Sequence, residues 1–190
     1  MAPPREIEVK FVVEDLRTLG RRLKVAGFRR VTPSAHEVNT LYDLPSKSLR
    51  KRGEVLRLRV YGKKWTLTHK SKGQAARHKI RIENETAVAN GEAMNAILLA
   101  LGYEPSFRYE KFREEWSDGH GHVVLDETPI GDFGEIEGSS RWIDRTARTL
   151  GITSDHYITQ SYVELFLGWK KRAGATAQNM TFDEVLRREL

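Results

Sequence analysis

The chain of 190 residues contains no cysteine, which excludes a disulfide framework, thiolate zinc sites and a cysteine nucleophile. No stretch approaches the roughly 18 apolar residues needed for a membrane-spanning helix. No apolar run follows the opening Met-Ala-Pro-Pro-Arg-Glu, so a secretory leader is not expected there. Internal repeats and low-complexity linkers are also missing. These absences leave a single soluble, cytoplasmic domain as the expectation. With 39% apolar and 31% charged residues it has enough apolar surface for a core, and many charges to place.

The charge is uneven. Between Lys47 and Arg81 stand 13 Lys and Arg against a single acid, Glu54, a local +12 within a chain whose net charge is +6. The rest is therefore acidic by 6. Such a block reads as a solvated basic face or a nucleic-acid footprint until the phase of its residues is considered.

The phase is that of strands. In Arg5–Val13, Ile7, Val9 and Phe11 alternate with Glu6, Glu8 and Lys10. Glu37–Asp43 reads as a strand. Leu56–Val60 sets its leucines against Arg57 and Arg59, and Trp65–Lys70 sets Trp65, Leu67 and His69 against Thr66, Thr68 and Lys70. A flexible 71–76 loop leads to a strand in which Lys79, Arg81, Glu83 and Glu85 oppose Ile80 and Ile82. In Phe107–Trp116, Tyr109, Lys111 and Arg113 share a face, and strands at 123–126 and 134–137 complete the set. Helices are expected at 15–26, 91–101, 140–150 and 155–169 from apolar spacing. A capping box, Thr181-Phe182-Asp183-Glu184, could open a short helix running to Leu190.

Strands with aliphatic residues on one face and ionisable residues of both signs on the other fit a closed antiparallel barrel with a charged, watered lumen. Converging Arg and Lys side chains suit phosphate oxygens. Carboxylates two apart on a strand offer hard oxygens to magnesium or manganese. Each pattern alone is common on exposed strands; five in consistent phase point to a polyphosphate held by side chains and metal together.

In this order the residues resemble the CYTH superfamily, the triphosphate tunnel metalloenzymes. The matching motifs are Glu6-x-Glu8-x-Lys10, Leu56-Arg57-Leu58-Arg59, Thr68-His69-Lys70, Arg81-Ile82-Glu83 and Lys111-x-Arg113. Asp126 with Gly131-Asp132-Phe133-Gly134-Glu135-Ile136-Glu137 and Ser161-Tyr162-Val163-Glu164-Leu165 complete the set. The resemblance implies an α+β domain over 1–168, an eight-stranded antiparallel tunnel with helices outside, followed by a 169–190 extension expected to lie loose. It implies that Glu6, Glu8, Glu135 and Glu137, helped by Asp126 and Glu83, hold Mg2+ or Mn2+. Lys10, Arg57, Arg59, Lys70, Arg81, Lys111 and Arg113 would cradle the triphosphate. Lys10, crowded by other cations, would have a depressed pKa and act as a catalytic base.

The implied activity is hydrolysis of tripolyphosphate, thiamine triphosphate or a nucleoside triphosphate. The alternative is a class IV adenylyl cyclase making cyclic AMP and pyrophosphate from ATP. A third reading is a non-catalytic binder of polyphosphate or RNA using the 47–81 block, although nucleic acid is not the expected partner. A homodimer is suggested by analogy with relatives. Gln160 stands where some members place a Lys or Arg, leaving Lys170, Lys171 or Arg172 as substitutes. Blander roles are expected for several other residues: His120 and His122 in an exposed turn, His69 packed, Trp65 and Trp142 in barrel-wall or helix packing. Lys47, Arg50, Lys51 and Arg52 are expected to be solvated or to draw anions toward the mouth.

Overall fold

A computed structural model describes residues 5–75 and 77–186. The expected loop residue Ala76 and the expected helical end at 187–190 lie outside the described residues. Eight antiparallel strands close on themselves: β1 (Arg5–Val12), β2 (Arg29–Asp43), β3 (Val55–Tyr61), β4 (Lys64–Lys70), β6 (Lys79–Val88), β7 (Glu104–Ser117), β8 (His122–Thr128) and β9 (Gly131–Glu137). Around the barrel the order is β1-β9-β8-β7-β2-β3-β4-β6, and β6 returns to β1 to complete the ring. A two-residue strand, β5 (Gln74–Ala75), lies along β6.

Aliphatic faces point outward and are covered by helices. Against β1, β9, β8 and β7 lie α1 (Leu16–Val25) and α4 (Ser140–Thr149), burying Val9, Phe11, Leu19, Leu23, Trp116, Ile136, Trp142 and Ile143. On the opposite wall α3 (Gly91–Ala100) packs Met94 and Leu98 on Tyr42, Leu58 and Trp65. Trp65 and Trp142 are thus packing residues, as expected. Gly134 is required by this packing: a Cβ there would stand 2.1 Å from the Phe11 ring, so β9 can pass under Phe11 only as glycine.

Two elements depart most from the expected spans. The strand expected at 37–43 starts at Arg29, pairing with β7 from Arg29↔Ser117 through register shifts around Thr32 and Ala35. Pro33, which has no N–H to donate, lies between those shifts, where an irregular ladder tolerates it. The helix expected at 155–169 is a short 3-10 turn (Ser154–His156), then extended chain, then α5 (Tyr162–Ala173). Ile158 is unavailable to a helix because it exchanges backbone hydrogen bonds with Lys10 at 2.8 and 2.9 Å. Ser161 caps α5, with Glu164 closing a capping box.

The extension does not lie loose. Met180 is fully buried among Tyr109, Phe133, Tyr162 and Phe166, and its backbone bonds to Arg108 and Glu110. Thr181 then accepts from the Glu184 N–H at the start of α6 (Phe182–Leu186). One short helix remains, α2 (Ser48–Arg52), carrying Arg50, Lys51 and Arg52.

Candidate active site

Side chains on alternate positions of every wall turn into a tunnel of about 560 Å³. All the residues expected to bind triphosphate or metal line it except Asp126, which shares the inward phase but lies fully buried beneath Lys111, Arg113 and Tyr162. Register explains the assembly: Glu8 sits opposite Lys79 on one neighbour and Glu137 on the other, and Lys10 sits opposite Glu135. Strand alternation alone therefore delivers acids and bases to the same layers of the tunnel.

The charges are paired across strands. Lys70 Nζ lies 2.7 Å from both Glu6 Oε1 and Glu83 Oε2. Lys10 Nζ donates to Glu8 at 2.9 Å and lies 3.4 Å from Glu135. Arg59 meets Glu85 at 3.1 Å, and Arg57 reaches Thr68, Tyr109, Glu85 and Glu83 at 3.2 to 3.7 Å. Arg81 is the loosest of the set, 3.9 Å from Glu6, with its Nε buried and without a hydrogen-bond partner.

Asp126 is the most fully engaged acid. Its Oδ1 accepts from Arg113 Nε at 2.7 Å, and its Oδ2 accepts from Arg113 Nη2, Lys111 Nζ and the Tyr162 hydroxyl at 2.6, 2.9 and 2.6 Å. Arg113 also donates to Glu135 at 2.8 Å. Asp126 thus locks Lys111 and Arg113 in position, and Tyr162 ties α5 to them. Burial, then the charges of Asp126 and Glu135, keeps the Tyr162 hydroxyl protonated far above its ordinary range.

The expected depression of the Lys10 pKa is not found. Burial acts in that direction, but Glu135 and Glu8 outweigh it and hold Lys10 protonated, its pKa raised above the ordinary value. Crowding by cations takes hold one strand away: burial, then Lys10 and Arg81, pushes Lys79 down to about 8. Lys10 is therefore a fixed cation in this structure, and Lys79 releases its proton more readily than Lys10 does.

Sequence reasoning missed Glu37, Asn39, Lys79, Glu85, Tyr109 and Tyr162 as site residues. Glu37 is fully buried; burial would raise its pKa, but Lys111, Arg113, Arg59 and Arg57 bring it far below the usual carboxylate range. Glu37 and Asn39 alternate within the 37–43 strand, so their shared face was the available signal. His122 lines one mouth of the tunnel, in strand phase with Val124 and Asp126, while His120 stays in the exposed turn. His69 is not packed: its side chain is 42% exposed and faces Glu54 at 3.6 Å. Lys170, Lys171 and Arg172 fall in the last turn of α5 and do not line the tunnel, so they do not replace the base missing at Gln160.

Among the described residues no three acids or histidines converge as a ready-made metal cage. The acids lean instead on lysines and arginines. Two acids of the lining form no ion pair with a described residue: Glu115, which accepts from Thr32, and Glu137, which stands open at the tunnel rim. The protein wall beside it, then the charges of Glu6, Glu135 and Glu8, pushes its carboxyl up to about 7. An unpaired carboxylate with three others nearby offers hard oxygens at a polar mouth, which fits a divalent cation.

The CYTH domain model matches residues 4–162, and the chain belongs to that family. It is 25% identical over 171 residues to the adenylate cyclase candidate MJ0240 of Methanocaldococcus jannaschii, covering 84% of this chain and 97% of that one. Among solved structures, an adenylate cyclase candidate from Vibrio parahaemolyticus superposes with a TM-score of 0.77 at 21% identity, covering 87% of this chain and 99% of that one. Protein PH1012 of Pyrococcus horikoshii OT3 gives 0.71 at 24%, covering 84% and 98%. HpAC1 from Hippeastrum, described as having a dominant triphosphatase activity, gives 0.63 at 16%, covering 86% and 95%. No helix among the described residues is long and apolar enough to cross a membrane.

Proposed function

We propose that this protein is a divalent-metal-dependent enzyme that binds a triphosphate in the tunnel and hydrolyses it. The observation carrying this reading is the set of inward cations from several strands of the barrel, Lys10, Arg57, Arg59, Arg81, Lys111 and Arg113, lining the same tunnel as Glu6, Glu8, Glu135 and Glu137. Such a set spreads positive charge along a chain of phosphates, and phosphoryl transfer depends mainly on positioning and charge stabilisation. Lys111 and Arg113 are fixed by Asp126, so their reorganisation cost is low when charge builds on the phosphoryl oxygens.

Glu6, Glu8, Glu135 and Glu137 would hold Mg2+ or Mn2+, with Glu83 beside them. The ion would neutralise phosphate oxygens and lower the pKa of an attacking water. Asp126 then serves by aiming Lys111 and Arg113. Lys79, not Lys10, is the lysine whose pKa suits proton transfer near neutrality.

Cyclase chemistry on ATP is the second reading, favoured by the name of the M. jannaschii relative. One experiment separates the two. Purified protein is incubated with tripolyphosphate, ATP and thiamine triphosphate, with Mg2+, with Mn2+ or with chelator, and phosphate and cyclic AMP are measured together. Metal-dependent phosphate release is expected. Cyclic AMP with matching pyrophosphate would install the second reading, and no product from any substrate would reject both.

A further inference from the structure

The tunnel opens at one end into a second cavity of about 700 Å³, and Lys79 and Arg81 belong to the walls of both. Its volume is that of a small-molecule site, and its lining differs in kind from the tunnel. One side is apolar, formed by Leu41, Val55, Phe107, Val163 and Leu167. The other carries Lys47, Arg50 and Lys72, none of which forms an ion pair with a described residue.

Four carboxylates border this vestibule; Glu104 is exposed, and the other three are engaged by neighbouring groups. Asp43 accepts from the backbone N–H groups of Leu44, Leu49 and Arg50 at 2.8 to 3.0 Å. Glu54 is gripped by Arg52 at 2.9 and 3.1 Å. Glu164 takes the Ser161 N–H and hydroxyl at 2.7 and 2.8 Å. Five cations, Lys47, Arg50, Lys72, Lys79 and Arg81, face four acids across the vestibule, and one of those acids, Glu54, is already paired with Arg52, so the field inside is positive; the basic 47–81 block supplies all five cations.

We infer that this vestibule receives the non-phosphate end of the substrate and selects an uncharged, partly apolar body of nucleoside type over a cationic one. This rests on the triphosphate reading of the tunnel. An inorganic chain has nothing to lay on the apolar side, and a thiamine body brings a quaternary cation into a field set by unpaired lysines and arginine. A nucleoside meets neither objection.

The test compares kcat/KM for ATP, thiamine triphosphate and tripolyphosphate, in the wild type and in two variants. The wild type should favour ATP over thiamine triphosphate by about tenfold or more, the order of effect of a nearby charge in a partly screened site. The double reversal Arg50→Glu with Lys72→Glu should shrink that ratio by about tenfold. Leu167→Glu should lower the ATP to tripolyphosphate ratio. A wild-type preference for thiamine triphosphate, or an ATP to thiamine triphosphate ratio unmoved by the reversal, overturns the assignment. If nothing is turned over, the hydrolase reading fails separately, and the vestibule is judged by the same ratio from calorimetric binding of ATP and thiamine triphosphate.

Discussion

Glu37 shows how a single buried side chain supports both the fold and the site. It is fully buried, with Lys111 at 3.4 Å, Arg59 at 3.8 Å and Arg113 at 3.9 Å, and one of its oxygens has no hydrogen-bond partner. Because its folded pKa is depressed, its stabilisation is full above its unfolded pKa and is lost as pH falls toward the folded one. Glu37→Gln should cost roughly 3–5 kcal/mol at pH 7, the usual penalty for stripping one partner from a buried ionic group. Urea unfolding at pH 7 and pH 3 should show that difference shrinking on acidification; a constant difference would show that charge is not the cause. A steric case lies at Gly134, where alanine would meet the Phe11 ring. Gly134→Ala should destabilise by roughly 1–3 kcal/mol, and adding Phe11→Leu should recover part of the loss in the same assay. Alternation made nearly all of the tunnel lining legible in the sequence. It could not show that two acids outweigh burial at Lys10 while burial and two neighbouring cations outweigh Glu8 at Lys79, because that depends on which strands become neighbours.

Among elements, the strands were more legible than the last helices, for a physical reason. A strand in this barrel separates aliphatic from charged residues with period two, so each announces itself locally. The segment before α5 does not: its apolar residues Tyr157 and Ile158 suit a helix, but Ile158 pairs with Lys10 from the far end of the chain. The Ser161–Glu164 capping box was the readable mark of the true helix start. The extension behaves likewise, since its docking depends on one methionine and a bridge beside Tyr109. Met180→Ala should cost about 2–5 kcal/mol by the cavity it leaves. The Met180 and Glu110 amides should be protected in hydrogen exchange, because each donates to a backbone carbonyl. Rapid exchange at both would mean that the extension is loose after all.

At the scale of the molecule, the tunnel is a neutralised network before any ligand arrives. Glu6 and Glu83 share Lys70, Glu8 and Glu135 share Lys10, and Glu135 also holds Arg113. A triphosphate entering alone must compete with these carboxylates for the lysines and arginines, leaving acids crowded as Glu137 already is. A divalent cation entering alone must draw the same acids away from their bases. Together, each would remove the other's obstacle: phosphate would take the cations, and the freed carboxylates would hold the metal. Binding should therefore be mutually reinforcing, and linkage requires the two enhancements to be equal. Calorimetric titration with a non-hydrolysable triphosphate analogue should show affinity rising by about 5- to 150-fold when Mg2+ is present. Mg2+ affinity should rise by the same factor when the analogue is present. Glu137→Gln, which lowers the surplus of negative charge at the mouth, should reduce that factor while leaving binding of the analogue alone unchanged or tighter. Equal affinities with and without Mg2+ would mean that acids and bases in the tunnel act as separate sites, and the cooperative reading of the network would fall.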